Sequence, residues 1–230
     1  MSDYRLLIFD WDGTLVDSIG RIVEAMHRAS DACGLVRCTD DQVRGIIGLG
    51  LPEAIATLYA QLDTAAIETF RGVYSTQYLA LEAEPSPLFA GVEESLEAFR
   101  EQGYLLAVAT GKGRHGLQRV LQGRGWSEYF DATRCADETA SKPQPLMLEQ
   151  LLAEFGLQAS QALMVGDSSF DLQMAHNAGM DCVAVGYGAQ PLDVLRGCSP
   201  TLAIEEFIEL RTWLQGRVDS QRVEVSSYVG

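Results

Sequence analysis

Two aspartates flank one tryptophan in Asp10-Trp11-Asp12-Gly13-Thr14, directly after the apolar run Leu6-Leu7-Ile8-Phe9. A carboxylate at the end of a buried strand loses solvation and needs a partner or a chemical task. Gly13 permits an immediate turn, so that one acid could attack an electrophile while the other moves protons. The same spacing also suits an Asx turn in which Asp12 only caps the loop. Further along, Thr110-Gly111 offers a hydroxyl and a glycine N–H, a pair that suits a phosphate oxygen and that also serves ordinary strand-to-helix turns. The chain uses fifteen arginines but two lysines, Lys112 and Lys142. Both lysines fall at predicted strand-to-helix connections, where a compact point charge differs from a planar fork. Gly166-Asp167-Ser168-Ser169-Phe170-Asp171 adds two more carboxyls. Brought together with Asp10, they would repel strongly, and a hard cation such as Mg²⁺ resolves that repulsion.

These residues need a scaffold. Near-continuous apolar runs predict strands at Tyr4–Asp10, Leu105–Thr110, Ala162–Asp167 and Cys182–Gly186, with weaker ones at Phe130–Cys135 and Thr201–Ile204. Such runs fit strands buried on both faces of a parallel sheet. Helical patterns lie between them: Val92, Leu96 and Phe99 share a face before Gly103, and Leu146–Phe155 stops at Gly156. The alternation predicts an α/β fold, a doubly wound Rossmann-like parallel sheet, whose ligands bind beyond the strand ends that carry Asp10, Thr110 and Asp167.

One interval breaks the alternation. From Asp17 to about Glu84 the pattern is helical throughout: Ile19 to Cys33 at helical spacing before Gly34, a capping-box pair Thr39 and Gln42, Pro52 in a first turn, and Ile67 to Leu81. The predicted domains are therefore an α/β core of residues 1–16 and 86–215, an all-helical insert of 17–85, and a polar tail of 216–230, disordered or a short strand. Leu15–Ser18 and Glu84-Pro85-Ser86-Pro87 are the two linkers. In the insert, Arg44 and the Gly48-Leu49-Gly50 turn are candidate substrate contacts, although Arg44 reads more simply as a solvated helix residue.

Composition narrows the partners. The net charge is −15, shared between insert and core, and no basic stripe of a nucleic-acid binder is visible. No apolar run reaches the about 18 residues that span a bilayer, and the start lacks a secretion signal, so a cytoplasmic location is expected. Five scattered cysteines without a C-x-x-C pair read as reduced thiols. His27, His115 and His176 share no metal spacing. The expected ligand is a small anionic phosphorylated molecule, with no nucleic-acid or membrane partner; the oligomeric state is not specified by the sequence.

Taken in order, Asp10-x-Asp12-Gly13-Thr14, Thr110-Gly111, Lys142-Pro143 and Gly166-Asp167 with Asp171 resemble the four motifs of the haloacid dehalogenase superfamily. The helical insert directly after the first motif looks like the cap of its phosphoglycolate-phosphatase-like branch. The resemblance covers about residues 4–215. It implies that Asp10 is the nucleophile and forms an aspartyl phosphate, and that Asp12 is the acid/base and lends its main-chain carbonyl to the metal. It further implies that Asp167 is a Mg²⁺ ligand, that Asp171 holds Lys142 or a metal-bound water, that Thr110 and the Gly111 N–H bind the phosphate, and that Lys142 screens its charge. Gly111 departs from the family, which often has Asn or Ser there, and Lys112 is left unassigned. The implied activity is Mg²⁺-dependent hydrolysis of small monoesters, phosphoglycolate-like or sugar phosphates. A β-phosphoglucomutase-like sugar-phosphate mutase uses the same core and cap. A non-enzymatic phosphate-binding switch domain has no evident need for Asp12 or for a lid.

Overall fold

The computed structural model describes residues 4–82 and 84–227, with side chains to residue 217. Six strands form one sheet: β1 (Leu6–Phe9), β2 (Leu105–Thr110), β3 (Ala132–Cys135), β4 (Ala162–Gly166), β5 (Asp181–Val185) and β6 (Leu202–Ile204). Every pairing is parallel, in the order β3-β2-β1-β4-β5-β6. Strand order therefore reverses beside β1, and the crevice of such a sheet opens at that reversal. The expected α/β doubly wound sheet is what the chain forms. Alternation explains the unbroken apolar runs: Leu7 and Phe9 enter one core cluster with Val108, Val165 and Phe207, while Leu6 and Ile8 enter the other with Met147, Leu151 and Met164.

Strand ends are shorter than the apolar runs suggested. The strand expected over Tyr4–Asp10 spans Leu6–Phe9, and the one expected over Phe130–Cys135 begins at Ala132. At the second of these the preceding acid has a different use: the Asp131 carboxylate accepts the Leu106 N–H at 2.8 Å. The Asp10 N–H still donates to the Val165 carbonyl at 3.0 Å, so Asp10 is fixed by the sheet although it lies past the strand.

Five helices lie between β1 and β2, and the first four make up the insert: α1 (Ile19–Ala32), α2 (Asp40–Arg44), α3 (Leu51–Leu58) and α4 (Thr64–Leu81). They have a core of their own. Ile22, Met26, Val43, Ile55, Tyr59 and Phe70 pack together, and each large apolar side chain so buried contributes roughly 1.5–3 kcal/mol. Local signals set their ends. The Thr39–Gln42 capping box is formed in both directions, at 3.2 and 2.8 Å, Pro52 sits in the first turn of α3, and Gly34 takes φ +67° after α1. The two chain connections to the insert run side by side: the Asp17 N–H donates to the Pro87 carbonyl at 2.9 Å, and the Phe89 N–H to the Leu15 carbonyl at 3.1 Å.

The remaining helices are α5 (Val92–Glu101), α6 (Arg114–Gly123), α7 (Leu146–Phe155), α8 (Ser169–Asn177), α9 (Leu192–Arg196) and α10 (Ile208–Ser227). The last of these corrects the expectation for the tail. Residues 216–227 continue a helix rather than forming a strand or an irregular end, and Leu210 and Leu214 in its first half anchor it on the sheet. Residues 228–230 lie outside the described part. Among the described residues no helix is long and apolar enough to cross a membrane, and all five cysteines are free.

Candidate active site

Asp10, Thr110 and Asp167 emerge at the same edge of the sheet because β1 pairs in register with both β2 and β4. Between the two acids of the first loop, Trp11 points the other way. It is 1% exposed and meets Trp126 and Phe130 edge-on, each at 6.3 Å. This aromatic anchor holds the loop while its neighbours face the crevice. Gly13 has φ +85°, and a Cβ there would collide with the Asp167 carboxylate. Glycine is needed both for the turn and for the approach of a carboxylate to it.

Asp10 and Asp12 sit in different surroundings. The Asp10 carboxylate is buried, and the Lys142 Nζ stands 2.8 Å from its Oδ1. Burial pushes its pKa up to about 7, with Lys142 opposing and Asp171 and Asp12 adding to the rise. The Asp12 carboxylate turns toward the insert, where Ser18 Oγ donates to it at 2.7 Å and the Lys112 Nζ stands at 3.1 Å. Ser18 occupies the N-cap position of α1 yet makes no cap bond; its hydroxyl is spent on Asp12.

Lys142 is 1% exposed and bridges Asp10 and Asp171, with Nζ to Asp171 Oδ1 at 2.6 Å. Those two carboxylates hold its pKa above the ordinary lysine value despite burial, which opposes them. Asp171 is fixed from its other side. Ser168 donates its hydroxyl at 2.7 Å and its N–H at 3.1 Å to Oδ2, closing a capping box at the start of α8. Asp167 accepts from Thr14 Oγ1 at 2.8 Å and from the Ala189 N–H at 2.7 Å. Its carboxyl is raised well above the usual range, first by burial and then by Asp10 and Asp171.

Oxygens of Asp10, Asp167 and Asp171 lie within 4.8 Å of one another, all buried. Three carboxyls this close, two of them driven toward the protonated form, fit a hard divalent cation that would remove the repulsion. Lys142 and Ser168 already engage both oxygens of Asp171, whereas Asp10 Oδ1 has the ion pair with Lys142 but no hydrogen bond of good geometry. This donor set suits a metal held mainly through Asp10 and Asp167, with Asp171 in support. The Asp12 carboxylate is committed elsewhere.

Thr110 ends β2, 1% exposed, and its Oγ1 accepts the Lys112 N–H at 3.1 Å. At Gly111 the insert reaches the core. A Cβ there would meet the backbone carbonyls of Leu49 and of Gly48, the latter at 2.6 Å. The Gly50 N–H donates to Ser141 Oγ at 2.8 Å. A side chain such as Asn or Ser at position 111 would hold this loop off, which accounts for the glycine. Lys112 lies under the insert, with its Nζ 4.8 Å from the centre of the Tyr78 ring on α4.

A cavity of about 480 Å³ adjoins Asp10, Asp12, Thr110, Gly111 and Lys112. Gly48-Leu49-Gly50 lines it, as the sequence suggested, and Arg44 does not. Of the histidines, His115 lines it, whereas His27 meets the Cys38 carbonyl at 3.1 Å and His176 lies 3.6 Å from Cys182 Sγ. Sequence reasoning missed Thr14, Ser18, Ala189 and the insert residues Tyr74 and Tyr78. Thr14 stood within the first motif, and Ser18 carried the mark of an N-cap residue; the loop at Ala189 carried no signal.

Residues 7–185 match the family model described as haloacid dehalogenase-like hydrolase. The chain belongs to this family. A protein of Dickeya dadantii named "Probable phosphatase IndB" is 35% identical over 89% of this chain and 91% of its own length. The phosphoglycolate phosphatase of Aliivibrio fischeri is 32% identical over 89% of this chain and 94% of its own. The crystal structure of a predicted phosphoglycolate phosphatase from Haemophilus somnus superposes with a TM-score of 0.80 at 29% identity, covering 92% of this chain and 98% of that one. This haloacid dehalogenase-like hydrolase is thus close to phosphoglycolate phosphatases, and the helices between β1 and β2 stand where the family's cap does.

Proposed function

We propose that the protein is a Mg²⁺-dependent phosphatase of small phosphate monoesters that works through an aspartyl phosphate on Asp10. The observation that carries this reading is the different pairing of two neighbouring acids that both line the cavity: Asp10 meets Lys142 and the buried carboxylates, while Asp12 meets Ser18 and Lys112. This supports a reading in which one attacks and the other exchanges protons with a leaving group in the cavity. The named activities of the relatives support the same class.

In this reading an Asp10 oxygen bonds to phosphorus as the bond to the alcohol oxygen breaks, and Asp12 gives that oxygen its proton. Asp12 then takes a proton from water, which attacks the phosphorus and releases Asp10 and inorganic phosphate. Lys142, Thr110 and the Gly111 N–H hold the phosphoryl oxygens. Positioning and charge neutralisation are most of what phosphoryl transfer asks of a protein. Mg²⁺, held by Asp10, Asp167 and the Asp12 main-chain carbonyl with Asp171 in support, would offset the charge of the acids and of the phosphate. Residues 17–85 act as the cap over a core of 1–16 and 86–215, excluding water while the phosphoryl group moves. Steady release of phosphate from monoesters with Mg²⁺, abolished by EDTA, tests the reading. Conversion of a sugar 1-phosphate without net release would replace it by the mutase.

A further inference from the structure

The cavity of about 480 Å³ lies between insert and core and is open to solvent on one side. The Gly48 carbonyl would stand 2.6 Å from a Cβ on Gly111, and the Gly50 N–H is bonded to Ser141, so backbone already abuts backbone at this edge. Room remains for about sixteen waters at about 30 Å³ each, within the range of roughly 300–1,000 Å³ that encloses drug-sized ligands. A phosphoryl group with a two-carbon alcohol would leave much of it empty.

The walls select the chemistry. The insert contributes Ile46, Ile47, Leu49, Tyr74, Tyr78 and Leu79 to them. The two tyrosine rings are 5.9 Å apart and inclined by 34°. Lys112 covers Tyr78, which leaves Tyr74, half-buried in the wall, as the ring for a ligand to meet. The lysine and the arginines that line the cavity are paired: Lys112 with Asp12 at 3.1 Å, Arg119 with Glu82 at 2.7 Å and Arg71 with Glu68 at 2.5 Å. A second anionic group on the substrate would compete with these carboxylates, whereas a planar ring needs only the apolar wall.

We infer that the alcohol released at this site has no net charge and carries a planar ring, and is not a two-carbon acid or a sugar without such a ring. This rests on the phosphatase reading above. The test is phosphate release with Mg²⁺ from acetyl phosphate, 2-phosphoglycolate, glucose 6-phosphate, pyridoxal 5′-phosphate and adenosine 5′-monophosphate. One of the last two should show the highest kcat/KM of the four esters. If 2-phosphoglycolate or glucose 6-phosphate leads, the inference fails and the phosphatase reading stands. If none of the five, acetyl phosphate included, releases phosphate, the phosphatase reading falls and the inference with it. Tyr74→Ala, checked for an unchanged circular dichroism spectrum, should lower the kcat/KM ratio of the better ring ester to 2-phosphoglycolate by about tenfold, chiefly through KM. Tyr74→Phe should restore it. An unchanged ratio in Tyr74→Ala overturns the assignment.

Discussion

Replacing Gly111 by alanine adds one methyl group at the narrowest contact between insert and core. The backbone at Gly111 does not take a positive φ, so steric contact rather than strain governs the outcome. The new Cβ would stand 2.6 Å from the Gly48 carbonyl oxygen and nearer still to that of Leu49. Ordinary van der Waals contact begins near 3.4 Å, so the loop must withdraw by close to an ångström, and both opposing atoms are backbone. Withdrawal also stretches the 2.8 Å bond from the Gly50 N–H to Ser141. A misplacement of about 1 Å can cost about 10²-fold in rate, and overpacking costs about 1–3 kcal/mol. Gly111→Ala should therefore lower kcat/KM for phosphate release by roughly 10²-fold and reduce the melting temperature. Gly20→Ala is the control: nothing lies within 4 Å of a Cβ there, and in the first turn of α1 the change should leave kcat/KM as in the wild type and not lower the melting temperature. Wild-type kcat/KM and Tm in Gly111→Ala would refute the closed contact as a functional feature.

Other outcomes follow from the site. Asp12→Asn should lower kcat by about 10²–10⁴-fold, the usual value of general acid–base catalysis; a loss below tenfold in steady-state phosphate release would remove Asp12 from that role. Lys142→Met leaves Asp10 and Asp171 facing each other without their cation, and breaking a buried pair in this way costs about 3–5 kcal/mol. Chemical denaturation should show it, and an unchanged midpoint would contradict the ion pairs at 2.8 and 2.6 Å. The Asp10 carboxyl is raised from 3.8 to about 7, chiefly by burial. Its protonated form is therefore the stabilised one. In metal-free protein that stability is complete below about pH 4 and is lost as the pH rises through about 7. Mg²⁺ binds the ionised form, so the thermal shift produced by saturating Mg²⁺ should be larger near pH 8 than near pH 5. Equal shifts at both would show that Asp10 is not part of the metal site.

Much of the scaffold was legible because its signals are local. The apolar runs marked the strands, Gly156 and Gly34 marked helix ends, and Thr39 with Gln42 formed the capping box that their spacing required. The residues at strand ends were legible for a related reason: Asp10, Thr110 and Asp167 are polar where an apolar run stops. What escaped notice depends on contacts distant in sequence. Tyr74 and Tyr78 read as one face of a helix, and nothing in the spacing showed that this face turns toward Lys112. The glycine at 111 looked like a loss of a side-chain contact, and only the approach of Gly48 and Leu49 explains it. Ser18 looked like a linker residue, because a hydroxyl before a helix ordinarily serves the helix. The tail looked irregular because its residues are polar, whereas Leu210 and Leu214 tie the start of α10 to the sheet.

The central claim is that Asp10 carries the phosphoryl group, and intact mass after an acid quench measures it directly. Asp12→Asn protein mixed with Mg²⁺ and acetyl phosphate should gain the mass of one phosphoryl group, and peptide mapping should place it on Asp10. Asp10→Asn under the same conditions should gain nothing. A phosphorylated Asp10→Asn protein, or a phosphoryl group mapped to any other residue, would contradict the account.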